Sequence, residues 1–131
     1  LEEIGPLSLQ GRHPERPSGI CAVLAETDVI NMVSRGIATA DILRGIHQSM
    51  AERIVKLLRA IRAEGVVLMT GGLAGDVGLQ AALVEAAQEA GLEVEIRSHP
   101  DAAFAGAIGA ALWGAYRFER LEAQRQQASA A

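Results

Sequence analysis

The chain has 131 residues, with 12 Lys and Arg against 16 Asp and Glu for a formal charge of -4, which is length for one domain with one core and not for two. Half of the residues are hydrophobic and only 3% are aromatic, so the core must be built from Ala, Val, Leu and Ile, the filling of helices on a sheet rather than of an aromatic-rich β-sandwich. With no basic stripe and few rings to stack on bases, nucleic acid is excluded as a partner, and the longest uncharged apolar stretch, the 15 residues from Ala102 to Tyr116, falls short of the roughly 18 that a membrane span needs.

That stretch reads as a buried helix. A single cysteine cannot form an internal disulfide and no leader opens the chain, so the expectation is a cytoplasmic protein. The opening Leu1-Glu2-Glu3-Ile4-Gly5 carries no initiator Met, which suggests a chain cut from something longer. Residues 2–10 suit a short helix. In Gly11-Arg12-His13-Pro14-Glu15-Arg16-Pro17-Ser18-Gly19, two prolines and two glycines forbid a regular element. From Cys21 to Arg35 the apolar positions Leu24, Val29, Ile30 and Val33 suit a helix, and Gly36 stands where a left-handed cap belongs. Thr39 offers an N-cap for a long helix in which Ile42, Ile46, Met50, Ile54, Leu57 or Leu58, and Ile61 recur every three or four residues. A strand over Val66–Thr70 follows, then a turn at Gly71-Gly72. A helix from about Asp76 to Ala90 places Leu79, Leu83 and Ala87 inward and stops at Gly91. A second strand covers Glu93–Arg97, with Val94 and Ile96 on one face, and a final helix starts near Asp101 and runs toward Arg125. The organisation is a lead helix and loop over 1–20, one domain fragment over 21–125 and a frayed tail over 126–131.

Strand, helix and strand within about thirty residues make a βαβ unit, with parallel strands and a right-handed crossover. Ligands of such sheets sit beyond the carboxyl ends of the strands, where Thr70-Gly71-Gly72 and Ser98-His99-Pro100 both fall. Gly71 and Gly72 either turn the chain or line an adenosine pocket in which any side chain would collide with the ligand. Gly75 and Gly78 lack phosphate-loop spacing, and no Lys-Ser or Lys-Thr follows them, so a Walker-type loop is excluded. In the last helix Ala103, Gly106, Ala110 and Gly114 form a small face at helical spacing, although each interior glycine costs roughly 1 kcal/mol relative to alanine. A neighbouring element must come close to that face; Gly109 serves either packing or a ligand ring.

Cys21 is either a small buried hydrophobe or a thiol near a helix N-terminus, where backbone amides favour thiolate. Alone it can supply one ligand of a shared site and cannot hold a cluster. His13, His47 and His99 have no ligand-like spacing. Glu26 and Asp28 read as a solvated helix start, and no Ser/His/Asp or Cys/His arrangement stands out.

Three segments carry a family resemblance: Cys21-Ala22-Val23-Leu24-Ala25-Glu26-Thr27-Asp28-Val29-Ile30, Met69-Thr70-Gly71-Gly72-Leu73-Ala74, and Ala105-Gly106-Ala107-Ile108-Gly109-Ala110-Ala111-Leu112-Trp113-Gly114-Ala115. In order and spacing they resemble the C-terminal part of the ATPase subunits of benzoyl-CoA reductases, a family that includes the activators of 2-hydroxyacyl-CoA dehydratases. The ending Trp113-Gly114-Ala115-Tyr116-Arg117 resembles the D-type subunit more than the activators. The resemblance implies an α/β fold, the C-terminal half of the acetate kinase, sugar kinase and actin-like ATPase fold, helix-rich with a small parallel βαβ sheet. It implies ATP and Mg2+ held between two domains and a 4Fe-4S cluster bridging two subunits. By position, Cys21 would ligate one iron, Gly71, Gly72 and Leu73 would lie in the adenosine motif, and Gly106 and Gly109 would belong to the helix behind it.

The phosphate motifs, the magnesium carboxylates and the first cluster cysteine belong to the N-terminal part of such proteins and are absent here, so the chain reads as a fragment without turnover of its own. The implied partners are a homologous ATPase subunit, benzoyl-CoA-binding subunits and a ferredoxin donor. Two other readings stay open: a non-catalytic subunit-assembly module, and a sugar-kinase-like ATP-binding domain without a cluster.

Overall fold

The computed structural model describes residues 2–129. Five helices and two short strands follow one another as α1 (Ile4–Ser8), α2 (Ala22–Ser34), α3 (Thr39–Ala60), β1 (Gly65–Leu68), α4 (Val77–Glu89), β2 (Val94–Arg97) and α5 (Ala105–Ser129), with a 3-10 turn over Pro100–Phe104 before α5. The strands are parallel, Gly65 opposite Val94 through Leu68 opposite Arg97; this is the expected βαβ unit with α4 as its crossover.

Helix α4 forms because Asp76 caps it. Its Oδ1 accepts from the N–H groups of Gly78 (2.9 Å) and Leu79 (3.0 Å), satisfying two of the donors a helix start leaves free. At the other end Gly91 takes a left-handed φ of 65°. Leu79, Leu83 and Ala87 face inward as expected, and with Ala82 they pack on Ala51 and Val55 of α3 and Ile96 of β2 to form the core. Each fully buried leucine contributes roughly 1.5–3 kcal/mol.

Four expectations need correction. The buried stripe of α3 runs through Ile42, Gly45, His47, Ala51 and Val55, while Leu57 and Ile61 are exposed. Small residues at 45 and 51 let α4 and a loop lie close, and this rotates the larger side chains toward the rim. Thr39 is the first helical residue, not the cap; Ala38 holds the cap position with no side-chain hydrogen bond. The C-terminal helix is not buried: no residue of α5 is, and it begins only after the 3-10 turn. Nor does anything press on its small face, since a Cβ added at Gly106, Gly109 or Gly114 meets no atom within 4 Å. Helix α5 turns away from the α3–α4 layer, and among the described residues it packs only on the 3-10 turn before it. It continues through Gln126 to Ser129; Ala130 and Ala131, the rest of the expected tail, lie outside the described residues.

The proline-rich segment 11–20 has no regular structure and is fastened by carboxylates from α2 and α3. Asp41 Oδ1 accepts from the backbone N–H groups of Arg12 (2.6 Å) and His13 (2.8 Å), Asp28 Oδ2 accepts from Ser18 N–H (2.6 Å), and Arg16 pairs with Glu52. Asp28 is thus a brace, not the solvated charge expected of it. The His13 N–H holds the Asp41 carboxyl below its ordinary value of 3.8, with Arg12 N–H acting the same way. A carboxyl lowered in the folded chain contributes stability above the unfolded value and loses it as pH falls through the folded one. Protection of the Arg12 and His13 amides from exchange should therefore hold from pH 7 to about 4 and fall below that. Asp41→Ala should lose it at every pH. Protection in wild type that persists unchanged to about pH 2 would contradict the tether.

Candidate functional site

The carboxyl ends of β1 and β2 meet at one end of the sheet. Met69 N–H donates to Arg97 O (2.8 Å), Gly71 N–H donates to Ala102 O (2.9 Å), and the Ser98 hydroxyl donates to Ala74 O. The glycine loop after β1 is thus tied to the turn after β2. Gly72, Leu73, Gly75 and Asp76 of this loop form a cavity with Glu2, Gly5 and Pro6 around the start of α1, about 140 Å3 in volume. Small-molecule sites are usually about 300–1,000 Å3, so this cavity by itself is too small to enclose such a ligand.

The two glycines have different reasons. Gly71 adopts φ 90°, which a side chain would strain; the turn alone accounts for it. Gly72 has no positive φ, and a Cβ added there meets nothing within 4 Å. Gly75 is the same on both points. Neither backbone nor packing within the described residues requires glycine at 72 or 75, and both line the cavity. The structure brings Gly72 and Leu73 together there; Gly109 is not among the lining residues.

Cys21 lies elsewhere, at the N-cap of α2. Its thiol is exposed, which removes the buried-hydrophobe reading, and it lines a shallow apolar cleft with Pro17, Val29, Ile30, Ile46 and Met50 among others. No side chain caps α2, so Cys21 stands at a helix start whose first backbone N–H groups have no side-chain partner, the positive end of the helix dipole. Among the described residues no group of three His, Cys, Asp or Glu could hold a metal. Exposure and that helix end suit Cys21 to be one ligand of a group completed from outside this chain.

Sequence reasoning missed a buried constellation. His47 Nδ1 lies 3.0 Å from Ser8 Oγ and His47 Nε2 lies 3.3 Å from Asp76 Oδ2, linking α1, α3 and the cap of α4. It is not a hydrolytic triad. Ser8 is 1% exposed, its hydroxyl donates to Gly5 O (2.7 Å), and the ring presents Nδ1 to the serine, where a hydrolase presents Nε2. No sequence spacing links positions 8, 47 and 76; the one signal was a histidine on the inner face of α3.

The sequence model of the BadF/BadG/BcrA/BcrD ATPase family matches residues 1–114. The chain is 60% identical over 127 residues to the D-type subunit of benzoyl-CoA reductase from Thauera aromatica, covering 96% of this chain and 45% of that protein. It is 43% identical over 96 residues to the (R)-2-hydroxyglutaryl-CoA dehydratase activating ATPase of Acidaminococcus fermentans, covering 73% and 35%. Among solved structures it resembles the activator of the 2-hydroxyisocaproyl-CoA dehydratase from Clostridium difficile with bound ADPNP, with a TM-score of 0.69, 32% identity, and coverage of 96% of this chain and 44% of that one. The chain spans less than half the length of the curated relatives it matches. The architecture is that part of the actin-like ATPase fold which the sequence led us to expect.

Proposed function

The chain belongs to the BadF/BadG/BcrA/BcrD ATPase family, and from that premise we propose that it is the adenosine-side part of an ATP-dependent electron-transfer subunit acting in the cytoplasm on benzoyl-CoA reduction. The observation that carries the nucleotide reading is Gly72. It stands at the carboxyl end of a parallel strand, where ligands of such sheets bind, and it is a glycine that the fold does not require. The space left open beside it suits the face of a purine. Likeness to an activator structure with bound ADPNP supports the same reading.

In this account Gly72, Leu73 and Gly75 form one wall of the nucleotide site, and Gly71 turns the chain so that the wall faces outward. The phosphate groups and Mg2+ would be held by residues outside this chain, from the other side of a cleft. Helix α5, through Gly109, belongs to the element that closes the site when that other side is present. Cys21, held at the end of α2 by the braced loop before it, would give one thiolate to a 4Fe-4S cluster shared with a homologous subunit. When bound, that cluster supplies a low-potential electron, received from a ferredoxin and passed toward subunits that hold benzoyl-CoA. Nucleotide can drive such a transfer only by making different contacts in two arrangements of the protein. The 131 residues alone should not hydrolyse ATP.

Anaerobic reconstitution of the full-length gene product with iron and sulfide tests the cluster half of the proposal. Wild type should take up about four irons per pair of subunits, and Cys21→Ser should lose most of the charge-transfer absorption without loss of fold, because the side chain is exposed. Equal uptake by both proteins would rule out Cys21 as a ligand and favour an ATP-binding domain without a cluster.

A further inference from the structure

Helix α3 ends in a charged face that the nucleotide site does not use. The ten residues Arg53-Ile54-Val55-Lys56-Leu57-Leu58-Arg59-Ala60-Ile61-Arg62 hold four of the chain's twelve cations and no anion, while the rest of the chain has eight cations against sixteen anions. No basic stripe was expected of so acidic a chain; the end of α3 is a short one. Arg53, Lys56 and Arg59 recur every three residues, so they follow one oblique row about 9 Å long around the helix, and Arg62 comes just past its end. All four are exposed.

Two structural explanations fall short. Cations at a helix C-terminus complement its dipole, but that effect fades beyond the last turn; it accounts for Arg59 and Arg62 and not for Arg53 and Lys56. Ion pairing does not account for them either. Arg16, Arg35, Arg44 and Arg97 pair with carboxylates, whereas among the described residues none of these four does. Between them Leu57 and Ile61 are 68% and 74% exposed. An apolar centre inside a charged rim is an arrangement common at protein interfaces. The row also has a direction. Arg53 borders the cleft that holds Cys21, Ile46 and Met50, and its Cδ would lie 3.9 Å from a Cβ added at Gly19, two residues before Cys21.

We propose that this face is where a small acidic electron-donor protein docks to reduce the cluster that Cys21 ligates. The proposal rests on the cluster reading of Cys21. A row of cations without partners attracts a negative surface, and its start beside Gly19 brings a docked donor to the side of the chain that carries Cys21. One electron passes from the donor to the cluster, and no bond is made or broken. Leu57 and Ile61 supply apolar contact, while the charges around them steer the encounter and set its orientation. The face carries no ring for a base to stack on, and two apolar side chains are too few to seat a helix in a membrane surface.

The test uses the full-length protein with a ferredoxin of net negative charge as probe. Binding is measured by calorimetry with the oxidised ferredoxin, and cluster reduction by stopped flow with the reduced one. Lys56→Glu with Arg59→Glu should weaken binding at least about tenfold, the effect of reversing two charges on the face, and slow reduction by ferredoxin in step. Reduction by dithionite, which needs no docking face, should stay as in wild type, and so should thermal unfolding, since both side chains are exposed. Wild-type binding should weaken as salt rises from about 0.05 to 0.5 M, and the variant should respond less. Arg117→Glu with Arg125→Glu makes the same change of charge on α5 and should leave binding as it is; an equal loss there would mean that net charge alone acts, and overturns the docking face. Ferredoxin binding untouched by Lys56→Glu with Arg59→Glu, in a protein that assembles its cluster, overturns the docking face and leaves the Cys21 reading standing. Loss of subunit association in that variant, or of co-sedimentation with phosphatidylserine vesicles, would assign the face to a second copy or a membrane and overturn it too. If wild type forms no cluster, or Cys21→Ser assembles one equally, the Cys21 reading falls, and the proposal with it.

Discussion

Replacing Gly45 by Ala will destabilise the protein by about 2 kcal/mol or more, although alanine is the better helix former by roughly 1 kcal/mol. Gly45 lies inside α3, and the backbone of Glu15 runs directly across it: an added Cβ would overlap the Glu15 carbonyl oxygen and come within 2.7 Å of its carbonyl carbon. A backbone cannot rotate aside as a side chain can. Overpacking of this kind typically costs about 1–3 kcal/mol and sometimes more, so the loop must lift. Lifting it strains the Arg16 pair with Glu52 and the Ser18 tether to Asp28, which together hold the approach to Cys21. We expect a Tm lower by roughly 5–10 °C and, on the proposal that Cys21 ligates a cluster, impaired cluster assembly in the same variant. A Tm equal to wild type would mean that the loop does not rest on α3.

That contact shows where sequence reading stops. The helix–loop–helix order was legible because local signals agreed: Pro14 and Pro17 barred regular structure, Gly91 could end a helix, and Leu79, Leu83 and Ala87 fell on one face. The βαβ unit followed from strand, helix and strand at the right separations. What could not be read were contacts between distant segments. Gly45 was a visible oddity, a glycine in a long amphipathic helix, yet nothing in the sequence says that residue 15 crosses it. The contacts of His47 with Ser8 and Asp76 join partners 39 and 29 positions away from it, and of the α3 face assigned to large apolar residues Ile42 is buried and Met50 and Ile54 pack partly on the core, while Leu57 and Ile61 are exposed.

The candidate site was legible in part for a similar reason. The strand end and glycine pair marked the place, and the geometry then divided the pair, giving Gly71 to the turn and Gly72 to the cavity. Gly75 and Asp76 emerged only with the fold. Helix α5 was read as buried because its composition is that of a packed helix; in the described residues its Ile108, Leu112, Trp113 and Phe118 are exposed.

The adenosine wall is tested most directly by Gly72→Val in the full-length protein, with ADP affinity and thermal unfolding measured together. Because Gly72 is exposed, has no positive φ and faces open space, the substitution should change stability by no more than about 0.5 kcal/mol. A valine in the path of the purine should raise the Kd for ADP at least about tenfold, equivalent to roughly 1.4 kcal/mol. Unchanged affinity in a fully folded variant would contradict the account and leave Gly72 as part of a turn.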